Sequence, residues 1–521
     1  MTILGIGGVL TDPAAALVKD GVVAAAIEES KLTRRAQPGR LPENALHSCL
    51  KIAGVTAAEV DYIALARPLP PGSAIPAALR MFPSARVVSI DHHAAHAAAA
   101  YYASPFDNAT VLTLDREGDL RCGAKWRGEG NRLILEDEIL YPDSIGALYG
   151  RVTDLLGFQS RADEHRVQWL SATGEPRYLD VFRRIVHNHA FDSSYFESGQ
   201  QGHGGFGVQF FEQLGIDRRA ELTPAQRADI AASMQNMLEE YVLQLAGDAE
   251  NICLAGGVAW NALLVSALET SGRFKGVFAQ PAAGNAGTAL GAALSVWSDL
   301  PGDTGRGSVR ITGGNYCLGP SFTASDIKQV LENCKLRFRV AGTVPEMIGA
   351  AVGQLKLNRI VAWMQGRMEF GPRALGNRSI LASPHDPYSA ENLNTFIKHR
   401  ESVRKFAASV PAEMASEYFD AGPNARHLAT VSRVRPQHRD QFRGAILAND
   451  LVRVHTVSRE DNPLYWQLLH AFGKETGLPV LYNTSFNLFG EPLVCTPRDA
   501  VRSFYSSGID AMVAGNFLLE K

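Results

Sequence analysis

Only six cysteines occur in 521 residues, at positions 49, 122, 253, 317, 334 and 495, and none forms a C-x-x-C pair. That scatter excludes a disulfide framework and a zinc ribbon, and it fits reduced thiols in a cytosol. Basic charge is not in excess either: 51 Lys and Arg stand against 54 Asp and Glu, for a formal charge of −3. The chain therefore has no electrostatic footprint for nucleic acid or a membrane surface. No apolar run reaches the roughly 18 residues of a membrane span. The opening "MTILGIGG" lacks the basic and apolar regions of a signal peptide. A soluble cytoplasmic protein is expected. No glycine loop ends in G-K-[ST], which excludes a P-loop, and "GIGG" runs into a polar break where a Rossmann fingerprint needs a helix.

What is present reads as a mixed α/β enzyme of more than one domain, with 46% hydrophobic and 20% charged residues. Ile3 to Gly7 and Ala14 to Val18 are apolar, and Asp20-Gly21 marks a hairpin before Val22 to Ile27. The same grammar returns near residue 110. Thr110 to Leu114 reads as a strand, Asp115 to Asp119 as an acidic loop, and "LRCGAKW" as the returning strand. Two copies predict a duplicated α/β domain, the plan of actin/Hsp70-type ATPase domains. A helix is expected over about 223–247, started by Thr223-Pro224. Then "ENICLAGGVAWNALL" and "GVFAQPAAGNAGTALGAALSV" each read as strand, glycine break and helix. Composition turns Gly- and Pro-rich between 299 and 320. The expected organisation is a first region over 1–305, a linker over 306–320 and a second α/β region over 321–521.

His92 and His96 stand four apart, so a helix projects both imidazoles from one face. That spacing suits two ligands of one divalent metal, and it equally suits two helix histidines bonded to carbonyls. Asp115, closing the apolar "ATVLTLD", adds a carboxylate that is expensive to bury unpaired. Two histidines and a carboxylate suit Fe, Mn or Zn, with Fe2+ the commonest match. Gly256-Gly257 and the Gly284 to Gly287 loop offer backbone amides to a phosphate or ribose, although close packing explains such glycines as often.

The densest chemistry lies further on. "WMQGRMEFGPRALGNRSIL" holds Arg367, Arg373 and Arg378 with one acid, and "IKHRESVRKF" adds Lys398, Arg400, Arg404 and Lys405. Arginines set among Phe, Leu and Gly predict an anion clamp, while "KHRESVRK" alone reads more readily as a solvated helix face. "PVLYNTSFNLFGEP" places Asn483, Ser485 and Asn487 in a polar loop after an apolar strand. Thr496 to Asp499 reads as a capping box with a structural role.

In this order "DHHAAHA", "GGVAWN", "QPAAGNAG", "EFGPRALGNRSIL", "KHRE" and "NTSFN…GEP" resemble the NodU/CmcH family of O-carbamoyltransferases over nearly the whole chain. The resemblance implies a first domain like the tRNA-threonylcarbamoylation ATPase and a YrdC-like second domain. It also implies carbamoyl-adenylate formation from carbamoyl phosphate and ATP with Mg2+, followed by transfer to an acceptor hydroxyl. Carried over, the metal ligands are His92, His96 and Asp115, with Asn285 where the family has an acid. Lys398, Arg404, Arg453 and Ser485 match positions that hold carbamoyl phosphate. Arg373, Arg378, Asn483 and Asn487 match phosphate and nucleotide contacts, and Gly256, Gly257 and Asn261 belong to the expected adenylate site.

The family's opening histidine is Thr11 here, which cannot take a proton at neutral pH. Asp12 or His165 as base, acidification of the acceptor by the metal, or an amine acceptor would then supply what is missing. A tRNA-modifying enzyme and a non-catalytic nucleotide- or metal-binding regulator stand as alternatives. The expected acceptor is a small-molecule natural product such as an antibiotic, and a homodimer is common in such enzymes.

Overall fold

The computed structural model describes residues 1–70, 79–187, 189–197, 202–300, 310–311, 315–400 and 405–521. Two sheets carry the first region. One runs in the order Arg310–Ile311, Val22–Glu28, Ala14–Lys19, Thr2–Gly7, Tyr62–Ala66 and Arg86–Ile90. The other runs Gly276–Ala279, Asn251–Ala255, Asn108–Gly118, Arg121–Glu129 and Arg132–Leu140. In each sheet the first three strands in sequence pair antiparallel and the later two add in parallel to the first. This is one topology used twice, as the repeated strand and hairpin pattern predicts. The Asp20-Gly21 turn forms with φ of 50° and 76°, and the long helix runs Pro224–Ala246 with a Thr223/Gln226 capping box.

Two expectations change. Asp115 does not end its strand: the strand continues through the acidic segment to Gly118 with a register shift after Leu114, and the turn falls at Asp119-Leu120. The expected linker is only partly described, and its described part is no free tether. Arg310–Ile311 pairs with Val22–Glu28, and Tyr316, Cys317 and Leu318 are buried. Arg367 donates to the Gly319 and Leu318 carbonyls and to the Ala24 carbonyl, which fastens this segment to the first sheet.

Helix His92–Tyr101 follows the last strand of the first sheet and packs on the second, while Gly287–Ser298 does the reverse. The two cross so closely that a Cβ on Gly291 would lie 1.7 Å from the Ala95 carbonyl oxygen. The alanine-rich stretch after His96 is what permits this approach. An eight-stranded mixed sheet, built from strands between Arg339 and Glu520, carries the second region, with a small three-stranded sheet of Phe419–Asp420, Ser432–Val434 and Leu451–Val452 beside it. At its centre Arg378–Ala382 lies between Val361–Met364 and Leu481–Ser485, antiparallel to both.

Candidate active site

Asp91 caps helix His92–Tyr101, accepting from the His93 and Ala94 amides, and so fixes where the histidines emerge. His92 Nε2 lies 3.3 Å and His96 Nε2 3.2 Å from Asp115 Oδ2, and the three donor atoms fall within 4.8 Å of one another. The other His92 nitrogen meets the Arg67 carbonyl at 3.3 Å. Burial would raise the Asp115 carboxyl, but the two histidines hold it well below the usual carboxylate range. For His92 the same carboxylate outweighs burial and raises the imidazole, whereas burial keeps His96 low. His93 points elsewhere, to the Thr113 hydroxyl at 3.0 Å, and burial and then the neighbouring histidines push it down to about 3. It is structural.

A divalent metal fits these residues. His96 Nε2 is buried and meets only the Asp115 carboxylate as an ion-pair contact at 3.2 Å, and among the described residues Asn285 Oδ1 is buried with no hydrogen-bond partner. Asn285 Nδ2 donates to Thr11 Oγ1 at 2.8 Å, so Thr11 stands beside this centre. Asp12 is held in the same turn by its amide on the Gly8 carbonyl. Burial, and then the charge of Glu28, raise the Asp12 carboxyl to about 7. Gly256 and Gly257 serve Asp115: a Cβ on Gly256 would meet the Leu114 carbonyl at 2.1 Å, and the Gly257 amide lies 3.4 Å from Asp115 Oδ1. Asn261 caps the following helix through the Leu264 amide and bonds Gln235.

A second centre is a cavity of about 280 Å³ lined by both regions: His165 and Trp169 from one, Arg373, Arg400, Lys405 and Arg453 from the other. No acid lines it. Burial pushes the Arg373 guanidinium down to about 10, and burial and then Arg373 push Arg453 well below its ordinary value. Arg453 Nε has no hydrogen-bond partner. Among the described residues neither guanidinium has an ion-pair partner, and a buried cation of this kind is stabilised by an anion. His165 lies here and not with Thr11, its Nδ1 3.1 Å from the Ala162 carbonyl.

Five expected anion or nucleotide contacts lie elsewhere. Arg378 is fully buried in its strand and spends its guanidinium on backbone carbonyls of Gln365, Gly366, Asn377, Cys495 and Pro320. It is a structural arginine. Lys398 Nζ is enclosed by the Ser485 and Asn487 carbonyls, Ser485 Oγ and Asn487 Oδ1, so Lys398, Ser485 and Asn487 do come together but outside the cavity lining. Asn483 is buried, donating to the Ala374 carbonyl and the Ser409 hydroxyl. Arg404 lies outside the described residues.

Sequence reading missed what shapes the cavity wall. Glu369 is the lone acid of "EFGPRALGNRSIL", and its Oε1 accepts from the Leu375, Asn377 and Arg378 amides at 2.8, 2.9 and 3.0 Å. Its solitude among arginines was the signal. The buried Lys31–Glu28 pair, 2.9 Å apart, ties this loop to the first sheet through the Glu369 and Gly371 carbonyls and the Gly371 amide. Trp169 carried no signal, because one aromatic on a helix reads as packing.

The protein is a two-region α/β molecule with an arginine-rich cavity and a histidine–carboxylate centre. Residues 76–294 match the family model described as carbamoyltransferase N-terminus, and 352–521 that of carbamoyltransferase C-terminus. An uncharacterized protein of Synechocystis is 35% identical, covering 100% of this chain and 96% of that protein. Nodulation protein NolNO of Sinorhizobium fredii is 33% identical over 98% of this chain and 79% of that protein. The 3'-hydroxymethylcephem-O-carbamoyltransferase of Streptomyces clavuligerus is 32% identical over 50% and 47% respectively. The chain belongs to the NodU/CmcH family and is a carbamoyltransferase. Among the described residues no helix is long and apolar enough to cross a membrane.

Proposed function

We propose that the enzyme forms carbamoyl-adenylate from carbamoyl phosphate and ATP and passes the carbamoyl group to a hydroxyl, or an amine, of a small-molecule natural product. The observation that carries this reading is the cavity with Arg373, Arg400, Lys405 and Arg453 on its walls. Joining two anions requires clustered cations to offset their repulsion. In the first step one water takes the phosphate from carbamoyl phosphate, the carbamate oxygen attacks the α-phosphorus of ATP, and pyrophosphate leaves. Arg453 and Arg373 bind and orient the anions there, with Mg2+ on the triphosphate. In the second step the acceptor oxygen attacks the carbamoyl carbon and AMP departs.

Asp12 is the residue suited to take the acceptor proton, because its raised carboxyl is poised near neutral pH. His92, His96, Asp115 and Asn285 would hold a divalent cation, Fe2+ by preference, which supplies a Lewis acid for a carbonyl. The reading assigns the first region an actin/Hsp70-type plan and the second a YrdC-like one.

Incubation with ATP and labelled carbamoyl phosphate tests it. Pyrophosphate and an AMP-linked carbamoyl product are expected. Absence of any AMP-linked product would overturn the adenylate route, and label on tRNA would favour a tRNA-modifying enzyme.

A further inference from the structure

We infer that Thr11 is a positioning residue for the histidine–carboxylate centre, setting the orientation of the Asn285 side-chain amide so that its carbonyl oxygen faces the cation. The inference rests on the metal reading of His92, His96 and Asp115. Two loops separated by most of the first region are clamped together here. The Gly8 amide donates to Thr288 Oγ1 at 3.0 Å, that hydroxyl donates to the Asn285 carbonyl at 2.6 Å, and the Thr11 and Asp12 amides both donate to the Gly8 carbonyl. The clamp holds Thr11 Oγ1 2.8 Å from Asn285 Nδ2.

An amide, unlike a carboxylate, has two chemically opposite ends, and the wrong one would aim N–H groups at a cation. With Nδ2 donating to Thr11, Oδ1 is turned to the other side, where it is buried without a partner. The Asn285 side chain there reaches the His96 imidazole. An unmet buried acceptor is costly, and a shared cation would relieve it. The sequence's two departures from the family pattern, Thr11 and Asn285, are therefore one contact, with a neutral ligand and the hydroxyl that orients it.

Thr11 is exposed, so its variants are expected to fold. The test titrates Mn2+, and Fe2+ without oxygen, into the full chain by calorimetry. Thr11→Val keeps the shape and removes the acceptor, and it should lower affinity about 10-fold, the scale of losing a group that orients a ligand. Thr11→Ser should stay within about threefold of the parent. In an Asn285→Asp background, where both oxygens are equivalent, Thr11→Val should change affinity by less than about threefold. Equal losses in both backgrounds would mean that Thr11 supports only the loop, and an unchanged Thr11→Val titration would also overturn the inference. A parent chain that binds neither ion overturns the metal reading and this inference together. Binding by the parent with no response to Thr11→Val overturns this inference alone.

Discussion

The Arg453 guanidinium carbon lies 4.8 Å from the centroid of the Trp169 ring. Arg453 precedes the strand Val454–Val457 in the eight-stranded sheet, and Trp169 sits on helix Glu164–Ser171 of the first region. One contact thus closes the arginine cavity across two regions. It holds the arginine fork without neutralising it, because an aromatic face attracts a cation and leaves its N–H groups free.

Trp169→Ala should therefore weaken anion binding more than it slows chemistry. A cation–π contact of about 0.5–1 kcal/mol predicts a KM for carbamoyl phosphate raised roughly two- to fivefold, with kcat little changed. Arg453→Ala should cost roughly 100-fold in kcat/KM for adenylate formation, measured as pyrophosphate release. An Arg453→Ala enzyme at parental rate would remove the cavity from the reaction.

Gly118 is needed by His92. An added Cβ would lie 2.2 Å from His92 Cδ2, inside van der Waals contact. Gly118→Ala should displace the imidazole, abolish tight divalent-metal binding and destabilise the fold by about 1–3 kcal/mol. Metal titration and thermal unfolding of the same sample check both. Retained metal affinity would place the cation elsewhere.

Glu369 predicts a graded series. Glu369→Ala leaves the amides of Leu375, Asn377 and Arg378 without their buried acceptor. The expected loss is ~3 kcal/mol or more in urea unfolding. Glu369→Gln keeps a carbonyl acceptor and should lose clearly less. An alanine variant as stable as the parent would show that the loop does not depend on this carboxylate.

Asp12 gives a pH signature. Its folded-state value of about 7 lies above the ordinary 3.8, through burial first and Glu28 second. Between those values the folded chain binds a proton that the unfolded chain has released, so this group's stabilisation is present at pH 4 and falls as pH rises through 7. Asp12→Asn should match the parent near pH 4 and exceed it in stability at pH 8. In the proposed reaction the transfer rate should rise through pH 7 in the parent, and Asp12→Asn should flatten that limb. A parental rise that persists in Asp12→Asn would assign the proton to another group.

The sequence by itself determined the features that repeat over short range. Alternating apolar runs with Asp20-Gly21 fixed the first hairpin, Thr223-Pro224 the start of the long helix, and the i, i+4 spacing the shared face of His92 and His96. Each depends on backbone periodicity or on a cap, forces that act within a few residues. Only the tertiary structure decided which charges are free. Arg373 and Arg378 are five residues apart and look alike in the chain, yet one faces the cavity and the other is spent on carbonyls. That choice follows from the register of Arg378–Ala382 between two distant strands, which leaves the carbonyls of Gln365 and Gly366 in reach. Thr11 and Asn285 are 274 positions apart and still share a hydrogen bond. Local periodicity carries no information about such a pairing, because it is set by how two copies of one topology close on each other.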